Sequence, residues 1–109
     1  MKTFIVEIDN KPNLQFTGSL IAYVESTHNN AAEHYSGQVG RWAELSLYKT
    51  AAGKYVCHQV GRTCFQGETD RYSGLACETI EQVKEFFGYR WLAKELYEKA
   101  NIDASINID

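Results

Sequence analysis

The sequence is poor in the features that mark membrane, secreted and fibrous proteins. It contains one proline, and its first apolar run, Phe4-Ile5-Val6, ends at Glu7 and is too short for a signal peptide or a membrane span. Its three cysteines are an odd number without a C-x-x-C pair, which fits a reducing compartment better than a disulfide framework. We therefore expect a cytoplasmic protein that does not act at a membrane.

Positive charge is also in deficit. Eleven Lys and Arg residues against fourteen Asp and Glu residues give a formal net charge of −3, and the acidic excess lies after Cys77. A chain of this charge does not attract nucleic acid through its overall field, because phosphate is repelled by the carboxylates. We therefore do not expect nucleic acid as the main partner.

The motifs of nucleotide-dependent and metal-dependent enzymes are missing. The sequence has no glycine-rich phosphate-binding loop and no H-E-x-x-H motif. His28 and His34 are six residues apart, which is a poor spacing for paired zinc ligands, and His58 belongs to a different element. We expect neither a metal nor a cofactor.

Cys57 beside His58 is the strongest catalytic candidate, because an imidazole can activate a thiol as a nucleophile. In a strand, however, consecutive side chains point to opposite faces, so these two groups cannot share a proton. A thiol-dependent enzyme would need Cys57 or Cys64 to meet His28 or His34. We expect a protein that is not an enzyme, with thiol chemistry as an alternative.

Alternating apolar residues between clusters of turn formers predict a sheet. With 44% hydrophobic and 13% aromatic residues, the composition is that of a compact protein, and we expect one domain over residues 1–109. The predicted strands are Phe4–Ile8, Leu14–Glu25 with a bulge at Gly18, Arg41–Lys49, Lys54–Thr63 and about Tyr72–Cys77. Ser26–Gly40 is predicted to be the longest loop.

The third and fourth predicted strands form a hairpin around Thr50–Gly53. With a turn of two or four residues, alternation divides the side chains of the hairpin between two faces. The predicted core face carries Ala43, Leu45, Leu47, Val56, His58 and Val60, and the opposite face carries Trp42, Glu44, Ser46, Tyr48, Tyr55, Cys57 and Gln59. In the second strand, Phe16, Leu20, Ala22 and Val24 are predicted to share one face.

The last third of the chain has helical periodicity. Thr79 and Gln82 have the spacing of a capping box and Gly88 is a stop signal, which together predict a helix over about Ile80–Phe87. A second helix is predicted over Arg90–Ala100, and the alternating tail Ile102–Asp109 is predicted to form a last strand. The expected fold is α+β, with an antiparallel sheet of four to six strands and two C-terminal helices packed on one face.

Aromatic residues on the predicted outward face form the candidate binding surface: Trp42, Tyr48, Tyr55 and, from the second strand, Tyr23. Tyr and Trp dominate protein interfaces because they bury a large area at a small entropic cost. The alternatives are that the C-terminal helices cover this face and make these residues part of the core, or that the rings stack single-stranded bases.

Three arginines, Arg41, Arg62 and Arg71, are weaker candidates for binding an anion. Arg41 and Arg62 lie at the open end of the hairpin, where like charges on neighbouring strands need a counter-charge. We favour internal pairing with Glu68, Asp70 or Glu78 over a bound phosphate or an acidic partner.

These observations predict a small, non-enzymatic module that binds protein. It would act as a homodimer or as a regulator or inhibitor of a larger partner. Because the chain is acidic and carries aromatic anchors, a basic nucleic-acid-handling protein would be a suitable target, as for inhibitors encoded by mobile elements. Binding of single-stranded nucleic acid or an anionic ligand on the hairpin face is the alternative.

Overall fold

The computed structural model describes residues 1–26, 41–103 and 105. Most of the predicted loop Ser26–Gly40, including His28 and His34, lies outside these residues, as does most of the predicted tail strand. The described elements are β1 (Lys2–Val6), β2 (Leu14–Glu25), β3 (Arg41–Thr50), β4 (Tyr55–Thr63), β5 (Arg71–Cys77), α1 (Ile80–Phe87) and α2 (Trp91–Lys99).

The five strands form one antiparallel sheet in the order of the sequence, and the two helices follow it. The predicted α+β architecture is therefore confirmed. The helices lie against one side of the sheet, which we call the helix face. The sheet curls into a half-barrel, and we call the other side the inner face.

The main core fills the space between the helix face and the helices. Leu47, Val83 and Leu96 are completely buried there. The other buried members are Ala22, Val24, Leu45, Cys57, Cys77, Phe87, Leu92, Ala93 and Tyr97. Burial of each large aliphatic side chain contributes roughly 1.5–3 kcal/mol, so this layer is the main source of stability.

Local capping sets the ends of α1. The Thr79 hydroxyl accepts a hydrogen bond from the Gln82 backbone N–H (3.2 Å), and the Gln82 side chain accepts one from the Thr79 N–H (3.1 Å). Gly88, with φ of 77°, ends the helix. Tyr97 of α2 donates its hydroxyl proton to the Gly88 carbonyl (2.6 Å) and so ties the two helices together.

The predicted faces of the β3–β4 hairpin are right for β3 and wrong for β4. Leu47 lies opposite Cys57, and Tyr48 lies opposite Val56. The Thr50 N–H donates to the Lys54 carbonyl (2.8 Å), which leaves a turn of three residues, Ala51–Gly53. A three-residue turn requires a left-handed residue, which Gly53 supplies with φ of 87°.

An odd turn reverses the faces of every residue in β4 relative to an even turn. Tyr55, Cys57 and Gln59 therefore share the helix face with Leu45 and Leu47. The residues moved to the inner face, beside Trp42 and Tyr48, are Val56, His58 and Val60.

The bulge in β2 lies at Ile21 and not at Gly18. Leu20 pairs with Tyr48 and Ala22 pairs with Leu47, so Ile21 is the extra residue. The bulge exchanges the faces, and the predicted common face of Phe16 and Val24 is therefore wrong: Phe16 meets Tyr48 on the inner face, and Val24 joins the main core.

A second, smaller core covers part of the inner face. The rings of Phe4, Phe16 and Tyr48 contact one another, with centroids 4.8–5.5 Å apart. Val6, Val56 and Val60 are also buried, although they lie outside the main core. Both faces of the sheet therefore contribute to stability.

The chain after β1 closes this side of the half-barrel. The Asp9 N–H donates to the Tyr72 carbonyl (3.0 Å), and the Tyr72 N–H donates to the Asp9 carboxylate (3.0 Å). His58 Nε2 donates to the Glu7 carbonyl (2.7 Å). Because Glu7–Asp9 cross onto β4 and β5, β1 ends at Val6. The predicted extension of this strand to Ile8 is therefore wrong.

Candidate functional site

The structure divides the four predicted binding aromatics among three environments. Tyr55 lies on the helix face and packs against the main core. Tyr48 belongs to the Phe4–Phe16–Tyr48 cluster on the inner face. Trp42, near the start of β3, and Tyr23, near the end of β2, also lie on the inner face. Trp42 is half-buried and Tyr23 is 38% exposed.

The C-terminal helices do not cover Trp42 or Tyr48, because they pack on the opposite side of the sheet. The alternative in which the helices make these two residues part of their core is therefore wrong. Tyr48 is instead covered by Phe4 and Phe16.

Charged side chains surround Trp42 and Tyr23, and we call this group the carboxylate patch. Its members are Tyr23, Glu25, Trp42, Glu44, Arg62 and Asp70. The strand register brings them together, since Glu25 lies directly opposite Glu44 and Trp42 lies opposite Arg62. The patch holds three carboxylates and one guanidinium group.

Hydrogen bonds orient the side chains of the patch. Arg62 contacts Glu44 (3.2 Å) and Asp70 (2.9 Å) with its two terminal nitrogens. Trp42 Nε1 donates to the second oxygen of Glu44 (3.2 Å). The Tyr23 hydroxyl donates to Glu25 (2.7 Å).

The charges of the patch change the protonation equilibria of its members. Hydrogen bonds from Arg62 and from the Thr63 backbone lower the pKa of Asp70. Burial, the hydrogen bond to Glu25 and the field of Glu44 raise the pKa of the Tyr23 phenol. Glu25 and Glu44 therefore both act on Tyr23, and the phenol stays protonated as a hydrogen-bond donor.

The expected internal pairing is observed for two of the three candidate anion-binding arginines. Arg41 Nε donates to Glu68 (3.1 Å), and Arg41 also lies over the Phe65 ring. Arg62 forms ion pairs with Asp70 and Glu44. Arg71 makes no ion pair with a residue that the structure describes, and Glu78 pairs with Lys54 (3.8 Å).

The Glu68–Arg41 pair is expected to stabilise the protein in a pH-dependent way. Hydrogen bonds from Arg41 and Thr63 lower the pKa of Glu68 from 4.5 to about 2. Since the folded-state pKa is the lower one, the contribution is present above about pH 4.5 and is lost as pH falls through about 2. The measurement is the free energy of unfolding of wild type minus that of Glu68→Gln across this range.

Both side chains of this pair are exposed, so the difference is expected to be small and to shrink as salt is added. Glu85→Gln, which removes an exposed carboxylate elsewhere, is the matched control. A difference for Glu68→Gln that stays constant with pH would contradict the assigned pairing.

The structure separates Cys57 from His58, as strand alternation predicts. Cys57 is buried on the helix face, and His58 bonds to Glu7 on the inner face. Burial and the neighbouring Cys77 raise the pKa of the Cys57 thiol. Within residues 1–26, 41–103 and 105, no group of three or more His, Cys, Asp or Glu side chains is placed to hold a metal ion.

Sequence reasoning missed two features of the described residues. Cys57 Sγ lies 3.6 Å from Cys77 Sγ. Tyr89 and Trp91, at the corner between the helices, are 52% and 54% exposed. The position of Trp91 beside the buried stripe of α2, which begins at Leu92, was the signal for its exposure.

An open pocket of about 620 Å³ lies where the end of α2 meets the sheet. Its apolar lining comes mainly from Ile21, Tyr55, Ile80 and Ile102, and Lys49 and Asp103 add opposite charges. Apolar pockets with few polar groups are typical of small-molecule sites. This pocket is open to solvent, however, so much of the surface of a bound ligand would stay in water.

Neither described helix is long and apolar enough to cross a membrane. Comparison of the chain with known protein families, with curated proteins and with solved structures finds no match to any of them.

Proposed function

We propose that this protein is a non-enzymatic binding module that recognises a basic surface of a larger protein through the carboxylate patch, and thereby regulates or inhibits that partner. The observation that carries the proposal is the position of Glu25 directly opposite Glu44 on neighbouring strands.

Like charges placed directly opposite each other destabilise a sheet. Arg62 offsets part of this repulsion, but it is shared between Glu44 and Asp70. Glu25 receives a hydrogen bond from Tyr23, a neutral donor. A lysine or arginine of a partner placed beside Glu25 would supply the missing positive charge and relieve the repulsion.

The aromatic members of the patch support recognition of a cation. Cations bind favourably over the faces of Trp and Tyr rings. Trp42 is held by its bond to Glu44 and Tyr23 by its bond to Glu25, so little side-chain entropy remains to be lost on binding. A rigid ring beside a carboxylate is a suitable site for an arginine side chain.

The sign of the charge favours a heterologous partner over a second copy of the chain. In a two-fold symmetric dimer the same patch meets itself, and the three carboxylates on each side would repel one another. A basic, nucleic-acid-handling protein in the cytoplasm is the partner class that we favour. Covering its phosphate-binding surface would inhibit it by direct competition.

The same carboxylates would repel phosphate groups. We therefore do not extend the proposal to single-stranded nucleic acid or to anionic ligands at this patch. Nor do we assign a thiol-dependent activity, because the described contacts of Cys57 include no base that would activate it.

Glu25→Gln tests the proposal, because it should raise stability and weaken binding at once. Removal of the like-charge pair is expected to increase the free energy of unfolding by about 0.2–1 kcal/mol. Affinity for a short arginine-rich peptide, measured by fluorescence anisotropy at low salt, should fall several-fold. Urea denaturation gives the stability of the same samples.

Glu85→Gln is the matched control, since it makes the same charge change on the exposed side of α1. It should leave both quantities close to those of the wild type. Equal peptide binding by all three proteins would show that the patch does not recognise cations. A stable homodimer in light scattering that survives Glu25→Gln would place association on another surface and would also contradict the proposal.

A further inference from the structure

We propose that Cys57 and Cys77 are a redox-sensitive pair that closes to a disulfide between β4 and β5 when a low-molecular-weight disulfide gains access beneath the helices. The two sulfur atoms lie 3.6 Å apart, and both thiols are free. A disulfide bond is about 2.05 Å long, so the sulfurs must approach by roughly 1.5 Å.

The register explains how residues so distant in sequence become neighbours. Cys57 lies opposite Leu75, and Cys77 lies opposite Tyr55. The two cysteines are therefore diagonal neighbours on the same face of adjacent antiparallel strands. Diagonal positions are further apart than directly opposed ones, so closure requires a shift of one strand.

β5 is the strand that can shift. It is at the edge of the sheet and pairs with β4 on one side only, apart from the contact between Tyr72 and Asp9. Because the shift works against the native pairing, the disulfide should be readily reduced by small thiols. Readily reduced disulfides are those found in switches.

The helices control access to the pair. Cys57 is completely buried and Cys77 is 3% exposed, beneath a core that includes Val83 and Tyr97. Burial also raises the pKa of both thiols, which keeps them protonated in the closed protein. Oxidation should therefore follow local opening of the helix layer, and it should be slow compared with oxidation of an exposed thiol.

The reaction consumes one small disulfide for each protein molecule. The Cys77 thiolate, having lost its proton to solvent, attacks one sulfur of the small disulfide, whose S–S bond breaks and releases one small thiol. The Cys57 thiolate then attacks the Cys77 sulfur of the mixed disulfide, and the second small thiol leaves. The protein loses two electrons and two protons, and the small disulfide is reduced to two thiols.

The test uses the full chain with Cys64→Ser, because Cys64 is exposed and would form mixed disulfides of its own. The folded protein is incubated overnight with millimolar oxidised glutathione, then denatured, alkylated and weighed by mass spectrometry. The expected product has lost two hydrogen atoms, takes up no alkylating reagent and gives a Cys57–Cys77 crosslinked peptide. Its urea unfolding midpoint should shift upward by less than loop closure alone would give, because the crosslink restricts the unfolded chain while the strand shift strains the folded one.

Millimolar dithiothreitol should restore both thiols and the original midpoint. The matched control, Cys64→Ser with Cys77→Ser, should give at most a mixed disulfide on Cys57. Two alkylated thiols after overnight oxidation, or a mixed disulfide without a crosslinked peptide, would overturn the proposal. Adding urea below the unfolding transition should accelerate oxidation, and an unchanged rate would contradict control by the helix layer.

Discussion

Replacement of Leu47 by alanine is expected to lower the free energy of unfolding by about 3 kcal/mol, within the range of large-to-small substitutions in cores. Leu47 is completely buried on the central strand β3, in the layer between the sheet and the helices. Truncation removes apolar contacts and leaves a cavity that the rigid sheet cannot fill. Urea denaturation followed by circular dichroism measures the loss.

Leu75→Ala is the matched control for this substitution. Leu75 is 44% exposed on the edge strand β5, so the same truncation removes fewer contacts there. Its expected effect is less than about 1 kcal/mol. Equal losses for the two variants would mean that the helices do not pack on the face that carries Leu47.

Replacement of Gly18 by alanine is expected to cost about 2 kcal/mol, as overpacking of a tightly packed site does. A Cβ atom at this position would stand 2.2 Å from the Lys49 carbonyl oxygen and 2.9 Å from the Thr50 Cα. These are backbone atoms of the neighbouring strand, so a side-chain rotation cannot make room. β2 and β3 would have to separate at the end of β3, next to the turn that leads into β4.

Gly61→Ala controls for the general effect of a methyl group in a strand. The nearest atom to its added Cβ is Arg71 Cβ at 3.8 Å, which is an ordinary contact. Neither glycine has a left-handed backbone, so the two substitutions differ only in the space available. Gly61→Ala is expected to raise the free energy of unfolding by roughly 0.4–1 kcal/mol, because alanine restricts the unfolded chain. If Gly18→Ala behaved in the same way, the close approach of β2 to β3 would be refuted.

The carboxylate patch illustrates how far sequence patterns reach. Residue type identified Trp42 and Tyr23 as candidate anchors, and the nearby carboxylates were correctly expected to pair with Arg41 and Arg62. The opposition of Glu25 and Glu44, however, depends on the β2–β3 register after the bulge at Ile21. The position of a bulge depends on packing on both faces of the sheet, and no single residue type in β2 indicates it.

Local interactions were sufficient to predict the elements whose ends are capped by neighbouring residues. The helix Ile80–Phe87 was predicted with the bounds that it has, because Thr79, Gln82 and Gly88 satisfy or terminate its backbone within a few residues. The strands were recognised for the same reason, since alternation and turn residues are local signals.

Contacts between distant residues decided which side chains meet. The left-handed Gly53 allows a three-residue turn, which moved Cys57 to the helix face and Val56 to the inner face. Alternation identifies two faces of a strand but not which of them joins a neighbour's face, because a shift of one residue exchanges them. The Cys57–Cys77 contact and the carboxylate patch follow from registers that only the folded sheet establishes.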